Sequence, residues 1–329
     1  MKHPKLITLT LAFILSLSLI LTACETVKYD KELEIKISVL NGTTGFGIAK
    51  LMNDAKNEKS ELNYNVTVES DAANIQAALI NGSVDIAALP TNAAAALYNR
   101  TEGGIKIAAV NTLGVLYVMT SGVEVNSIDD LKGKTVYAPA QNPAFIFEAI
   151  CRKNGLVVGE DIIIDTAFAQ PADLRAALVS GQVDIAVLPE PMVTIAKSAN
   201  KDLKVSLDLT AEWEKAYGEN SLMQGCIVVR TEWANAHPKE LEQFLAEYEE
   251  SVNYTVRSPK EASELIVSLG IFAGKAPVAE KAIPNCNIVY MDSDDNVGAL
   301  LDKFFAALYE VNPKAVGGKL PDGGIYLEK

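Results

Sequence analysis

Two stretches of this chain, 99 residues apart, are copies of one another. Asn74–Pro90 reads NIQAALINGSVDIAALP and Asp173–Pro189 reads DLRAALVSGQVDIAVLP, with ten of seventeen positions identical. Each copy opens with a helix-like run, passes through Gly82 or Gly181, and ends as a short apolar run closed by proline. Glycine readily takes the left-handed conformation that ends a helix, and proline cannot continue a sheet ladder. The pattern therefore reads helix, turn, strand, stop. The spacing is too long for a solenoid repeat. It predicts two similar α/β lobes within 329 residues, a length that suits about two domains.

The flanking residues agree. Strands are predicted at 35–40, 65–69 and 85–89, with helices at 48–56, 72–80 and 91–98 between and after them. Residues 105–119 read as largely extended. The series then restarts: strands at 135–138, 162–168 and 183–188, and helices at 144–153, 172–179 and 192–198. Strands alternating with helices imply mainly parallel sheet. One more strand is expected at 223–230. From Pro238 onward the pattern is helical, at 240–256, 260–269, 278–283 and 297–311. Helices with no strands of their own must cover an existing sheet. Residues 33–118 plus 226–329 are therefore expected to form lobe 1, and 119–225 lobe 2.

The N-terminus reads as a targeting signal. Lys2 and Lys5 precede a 16-residue apolar run, Leu6–Leu21, and then Leu21-Thr22-Ala23-Cys24. The run is short of the roughly 20 residues that span a bilayer. A charged start, an apolar stretch and small residues before a cysteine resemble a bacterial lipobox. Residues 1–23 are expected to be a signal peptide, Cys24 the lipidated residue, and 24–32 a polar tether.

Composition removes several functional classes. The chain carries 29 basic and 42 acidic side chains, a formal charge of −13, with Lys and Arg scattered singly. A nucleic-acid partner needs a basic footprint, and this chain lacks one. His3 and His237 are the only histidines, too few for a His-rich metal site or a His-relayed triad. No cofactor and no metal are expected. The run Asp292–Asn296 lacks the glycine and terminal glutamate of a calcium loop. Cys151, Cys226 and Cys286 sit among apolar residues and read as buried thiols, with a Cys226–Cys286 bridge left open.

A lipobox, two α/β lobes and a helical return resemble an extracytoplasmic solute-binding protein of an ABC importer. More narrowly, the chain resembles the nitrate/sulfonate/taurine and thiamine-pyrimidine (NMT1/THI5-like) group. The resemblance is carried by Gly82-x-Val84-Asp85-Ile86-Ala87, by Leu178-x-x-Gly181-x-Val183-Asp184-Ile185-Ala186 with Glu190-Pro191, by Leu131–Val136, and by Asn312–Gly318. It implies a type II periplasmic-binding-protein fold, a two-lobed α/β structure with a ligand cleft between the lobes. It also implies a small-molecule ligand, an ABC permease with its ATPase, and attachment to the extracytoplasmic face of the membrane through a lipid anchor. An enzyme on the same fold, or a binding subunit for a membrane sensor, are the alternatives, since fold alone does not set function.

Ligands of open α/β sheets bind where strands end. The candidate site is therefore a set of loops. Asn41, Gly42, Thr43, Thr44 and Gly45 follow the first strand. Thr91 and Asn92 follow the repeated strand of lobe 1, and Glu190 holds the matching place in lobe 2. Asn111 and Thr112 interrupt an apolar run, and Gln141 and Asn142 end the first strand of lobe 2. Ser70, Asp71, Gln170 and Gln224 are lesser candidates. None of these loops contains Arg or Lys, and one contains Glu190. That balance favours a neutral polar heteroaromatic or amine-bearing ligand over a sulfonate or nitrate.

Overall fold

The computed structural model describes residues 29–140 and 142–328. The expected signal peptide, Cys24 and Gln141 lie outside the described residues. Eleven strands are described: β1 (Glu34–Leu40), β2 (Asn63–Glu69), β3 (Ile86–Pro90), β4 (Ile105–Thr112), β5 (Leu116–Thr120), β6 (Thr135–Tyr137), β7 (Ile163–Asp165), β8 (Ile185–Pro189), β9 (Lys204–Asp208), β10 (Gly225–Arg230) and β11 (Ile288–Met291). They form a six-stranded sheet, β11-β4-β10-β3-β1-β2, and a five-stranded sheet, β7-β6-β8-β5-β9.

The two sheets share one plan, as the repeat predicts. In each, a central strand pairs in parallel with two others, β1 with β2 and β3, β6 with β7 and β8. In each, the repeated strand then meets an antiparallel partner from elsewhere in the chain, β10 on β3 and β5 on β8. The helices of the repeat, Ala72–Asn81 and Pro171–Val179, end before Gly82 and Gly181, both at positive φ (76° and 75°). A Cβ-bearing residue there would be strained. β3 and β8 are buried along almost their whole length, which is why they read as continuous apolar runs.

The crossings differ from expectation. The expected lobe boundary at residues 118 and 119 falls inside β5, which pairs with β8 and β9 in the second sheet. The chain leaves the first sheet after Thr112 and crosses through Leu113–Val115. Gly225, expected to close lobe 2, opens β10 in the first sheet. Sequence reading missed β9 with the helix Leu209–Tyr217 that follows it, the short helix Thr231–Ala236, and β11, which pairs with β4. The end of the expected tether is docked, with the Tyr29 hydroxyl donating to Gln243 at 2.8 Å.

Helix packing also departs from the simplest expectation. Helix Pro238–Arg257 presents Leu241, Phe244, Leu245, Tyr248 and Val252 on one buried stripe against the first sheet, at the spacing of an amphipathic helix. Helix Val297–Val311 instead reaches over to the second lobe. It packs on helix Asn142–Lys153, and Phe304 meets Trp213 of helix Leu209–Tyr217 at 5.7 Å between ring centres. That placement buries Phe304, Phe305 and Leu308 in one cluster with Phe147 and Trp213. Cys151, Cys226 and Cys286 are all free and buried, so the open question of a Cys226–Cys286 bridge is answered. Burial pushes the thiols of Cys151 and Cys226 up to about 12. Among the described residues no helix is long and apolar enough to cross a membrane, and no cluster of metal-ligating side chains occurs.

Candidate functional site

A cleft of about 800 Å³ lies between the two sheets at their strand ends. Of the sequence candidates, Asn41, Gly42, Thr43, Thr44, Thr112, Asn142 and Glu190 line it, with Ser70, Gln170 and Gln224 of the lesser set. Gly42 follows β1 at φ 93°, a left-handed turn that favours glycine. The turn feeds the short helix Thr43–Phe46.

Four other candidates lie behind the wall. Gly45 is needed for close packing, since a Cβ there would sit 2.2 Å from the Leu40 carbonyl oxygen. Thr91 is fully buried and its N–H donates to the Gln224 carbonyl at 3.2 Å. Asn92 is turned toward the C-terminal segment, where its Nδ2 donates to the Ala315 carbonyl at 3.4 Å. Asn111 holds the binding loop from beneath. Its Nδ2 donates to the Thr44 carbonyl at 3.0 Å and to the Tyr248 hydroxyl oxygen at 3.1 Å. Asp71 caps its helix by accepting from Ala73 N–H at 2.8 Å.

Thr91 and Glu190 are equivalent in the repeat yet differ in exposure to the cleft. The physical cause is Gln224. The segment entering β10 accepts the Thr91 N–H at the Gln224 carbonyl, and Gln224 lines the cleft where Thr91 does not. Gln224 also sits at the crossing, accepting from Val115 N–H at 2.8 Å and donating its own N–H to the Thr112 carbonyl at 2.9 Å.

Glu190 is 4% exposed. Its carboxylate accepts from Thr194 N–H at 3.1 Å and from Thr194 Oγ1 at 2.9 Å. Burial holds its carboxyl well above the usual carboxylate range, at about 7, against the opposing pull of the Thr194 bonds. Its carbonyl accepts from Thr43 Oγ1 of the opposite lobe at 2.9 Å. Tyr117 makes a second bridge between lobes, donating to the Asn285 carbonyl at 3.1 Å.

The structure adds two cations that loop reading missed. Arg175 and Lys275 both line the cleft. Arg175 lies inside helix Pro171–Val179, and Lys275 precedes helix Ala276–Ala282. Arg175 makes no ion pair among the described residues, and its Nε is buried without a hydrogen-bond partner. The Asn142 Oδ1 beside the cleft is likewise unpartnered. Buried polar atoms are rarely left so. Helices Asn142–Lys153, Pro171–Val179 and Met192–Ala199 all start at the cleft, and helix N-termini carry free N–H groups and partial positive charge. Met192, Ile195, Ile271, Phe272 and Val278 supply an apolar wall. Reading the strand-end loops found no basic side chain because these two come from a helix interior and from a loop between helices.

Two parallel-centred lobes joined by crossings, with a ligand-sized cleft at the strand ends, define a type II periplasmic-binding-protein fold. Within that class the chain belongs to the NMT1/THI5-like family, whose model matches residues 58–262. An ABC transporter structure from Parabacteroides distasonis is 27% identical, covering 91% of this chain and 100% of that one at a TM-score of 0.76. The periplasmic aliphatic sulphonate binding protein SsuA from Escherichia coli superposes at a TM-score of 0.71 with 18% identity, covering 87% of this chain and 95% of that one. The alkanesulfonate-binding protein SsuA from Xanthomonas axonopodis pv. citri, bound to MOPS, gives 0.64 with 15% identity over 86% and 94%. No curated protein matches the chain.

Proposed function

We propose that this protein is an extracytoplasmic solute-binding receptor that captures a small organic anion by lobe closure and delivers it to an ABC permease powered by its ATPase. The observation that carries the ligand class is Arg175, a cleft-lining cation with no ion-pair partner and a buried, unbonded Nε among the described residues. A ligand anion supplies the missing partner. The helix starts nearby favour the same charge, and the apolar wall suits a short hydrocarbon body. A sulfonate on a short alkyl chain has this form, and the two SsuA structures are named for such ligands. Lipid attachment at Cys24 is part of this reading, since a tether keeps the receptor beside its permease.

Titration calorimetry with butane-1-sulfonate tests the proposal, with butylamine and a neutral pyrimidine as controls. The sulfonate is expected to bind, and Arg175→Gln to weaken it by about 1.5–3 kcal/mol, the range for a hydrogen bond to a charged group. Binding of butylamine or the pyrimidine alone, unaffected by Arg175→Gln, overturns the anionic ligand class.

A further inference from the structure

Among the described residues Glu190 is the one acidic residue lining the cleft, and its main chain is pinned there. Its N–H donates to the Val115 carbonyl at 2.9 Å and its carbonyl accepts from Thr43. Among the described residues no Lys, Arg or His nitrogen lies within 4.0 Å of its carboxylate. The two Thr194 bonds leave room on the carboxyl group for one more partner. Two neutral titratable groups couple to it: Tyr117 on β5 and Cys286 ahead of β11 are held protonated by burial, with the Asp208 and Glu190 charges adding to the effect at Tyr117 and the Glu190 charge at Cys286. Arg175 and Lys275 are the cations of the same cleft.

An ionised Glu190, buried at the cleft wall, would repel an anion beside it, whereas a neutral one can donate to it. We propose that Glu190 is a specificity-determining proton donor: it enters the complex as a neutral carboxylic acid, donates a hydrogen bond to the anionic ligand, and so couples capture to the uptake of one proton. The inference rests on the anionic-ligand reading above. The carboxyl titrates near neutrality in the free protein. Above that point the proton comes from solvent on binding and returns to it on release. A cation such as an ammonium group would impose the opposite linkage, releasing a proton.

Butane-1-sulfonate is a suitable probe because it stays anionic at every pH used. Its affinity should be flat below about pH 6 and weaken up to tenfold per pH unit above about 7, the slope for one linked proton. Calorimetry at pH 8 in Tris and in tricine, which differ in ionisation enthalpy, should show close to one proton taken up. Glu190→Gln places an amide donor of similar size at every pH. It should lose the pH slope and bind about tenfold tighter than wild type at pH 8. Wild-type binding without proton uptake, or a slope that survives Glu190→Gln, overturns the proposal while leaving the anionic ligand class intact. Binding of butylamine in place of the sulfonate overturns both. A ligand-free measurement stands beside these. In carboxyl-labelled protein, the carbon resonance absent from Glu190→Gln should titrate near pH 7, and a midpoint in the ordinary range near pH 4 overturns the proposal whatever the ligand.

Discussion

The Thr43 hydroxyl donates to the main-chain carbonyl of Glu190, 2.9 Å away in the opposite lobe. The two residues lie 147 positions apart and both line the cleft. Opening the lobes breaks this bond, so its energy belongs to the closed state. A ligand that touches both lobes is favoured by whatever favours closure.

Thr43→Val keeps the shape and removes the donor. The lost bond should weaken ligand binding by about 0.5–1.5 kcal/mol, roughly two- to twelvefold. Calorimetry with butane-1-sulfonate measures this, and unchanged affinity would show that the bond does not contribute to closure.

The folded-state pKa of Glu190, about 7, lies above its ordinary value of 4.5. Below about pH 4.5 the group is neutral in both folded and unfolded chains. As pH rises toward 7 the unfolded chain gives up the proton while the folded one retains it. Stability from this group is therefore full at low pH and lost as pH rises through the folded pKa, by about 3 kcal/mol at most. Glu190→Gln removes that loss. Its melting temperature relative to wild type should climb between pH 4.5 and 7 and level off above, and a constant difference across that range contradicts the shift.

Phe304 joins helix Val297–Val311 to Trp213 in the second lobe. Both rings are essentially inaccessible to solvent. Phe304→Ala should cost about 3–5 kcal/mol, the range for deleting a buried aromatic ring. Denaturant unfolding followed by tryptophan fluorescence reads it. A loss below about 1 kcal/mol would mean that the helix is only loosely held to the second lobe.

Cys24 follows Leu21-Thr22-Ala23 after the apolar run. Cys24→Ser should abolish lipid attachment and move the protein out of the membrane fraction. Mass spectrometry of the wild-type N-terminus should find an acylated cysteine. A Cys24→Ser variant fractionating with membranes like wild type excludes this anchor.

Local signals carried a large part of the fold. The helix 297–311 predicted from periodicity is Val297–Val311 in the structure, and the repeat gives β3 and β8 at the same offset of 99. These signals survive because each arises from neighbours within a few residues: apolar spacing, a glycine stop, a proline. β9, with three of its five residues exposed, and the four-residue β11 carry too little apolar contrast to stand out. The cleft was half legible. Strand-end loops announced Thr43, Thr44, Asn142 and Glu190 because strand ends are where sheets bind ligands.

The rest was settled by distant pieces of chain meeting. Arg175 reads as one polar position on a helix, and its repeat counterpart Gln76 instead bonds Arg100 outside the cleft. Thr91 has the same local sequence position as Glu190, yet Gln224, 133 residues further along, closes over it. The sequence alone determined two α/β lobes, most of their strands and helices, and several of the strand-end loops that meet at the cleft. Tertiary structure decided which side chains face the cleft and with what charge, because a side chain's surroundings depend on segments that come together only when both sheets are built.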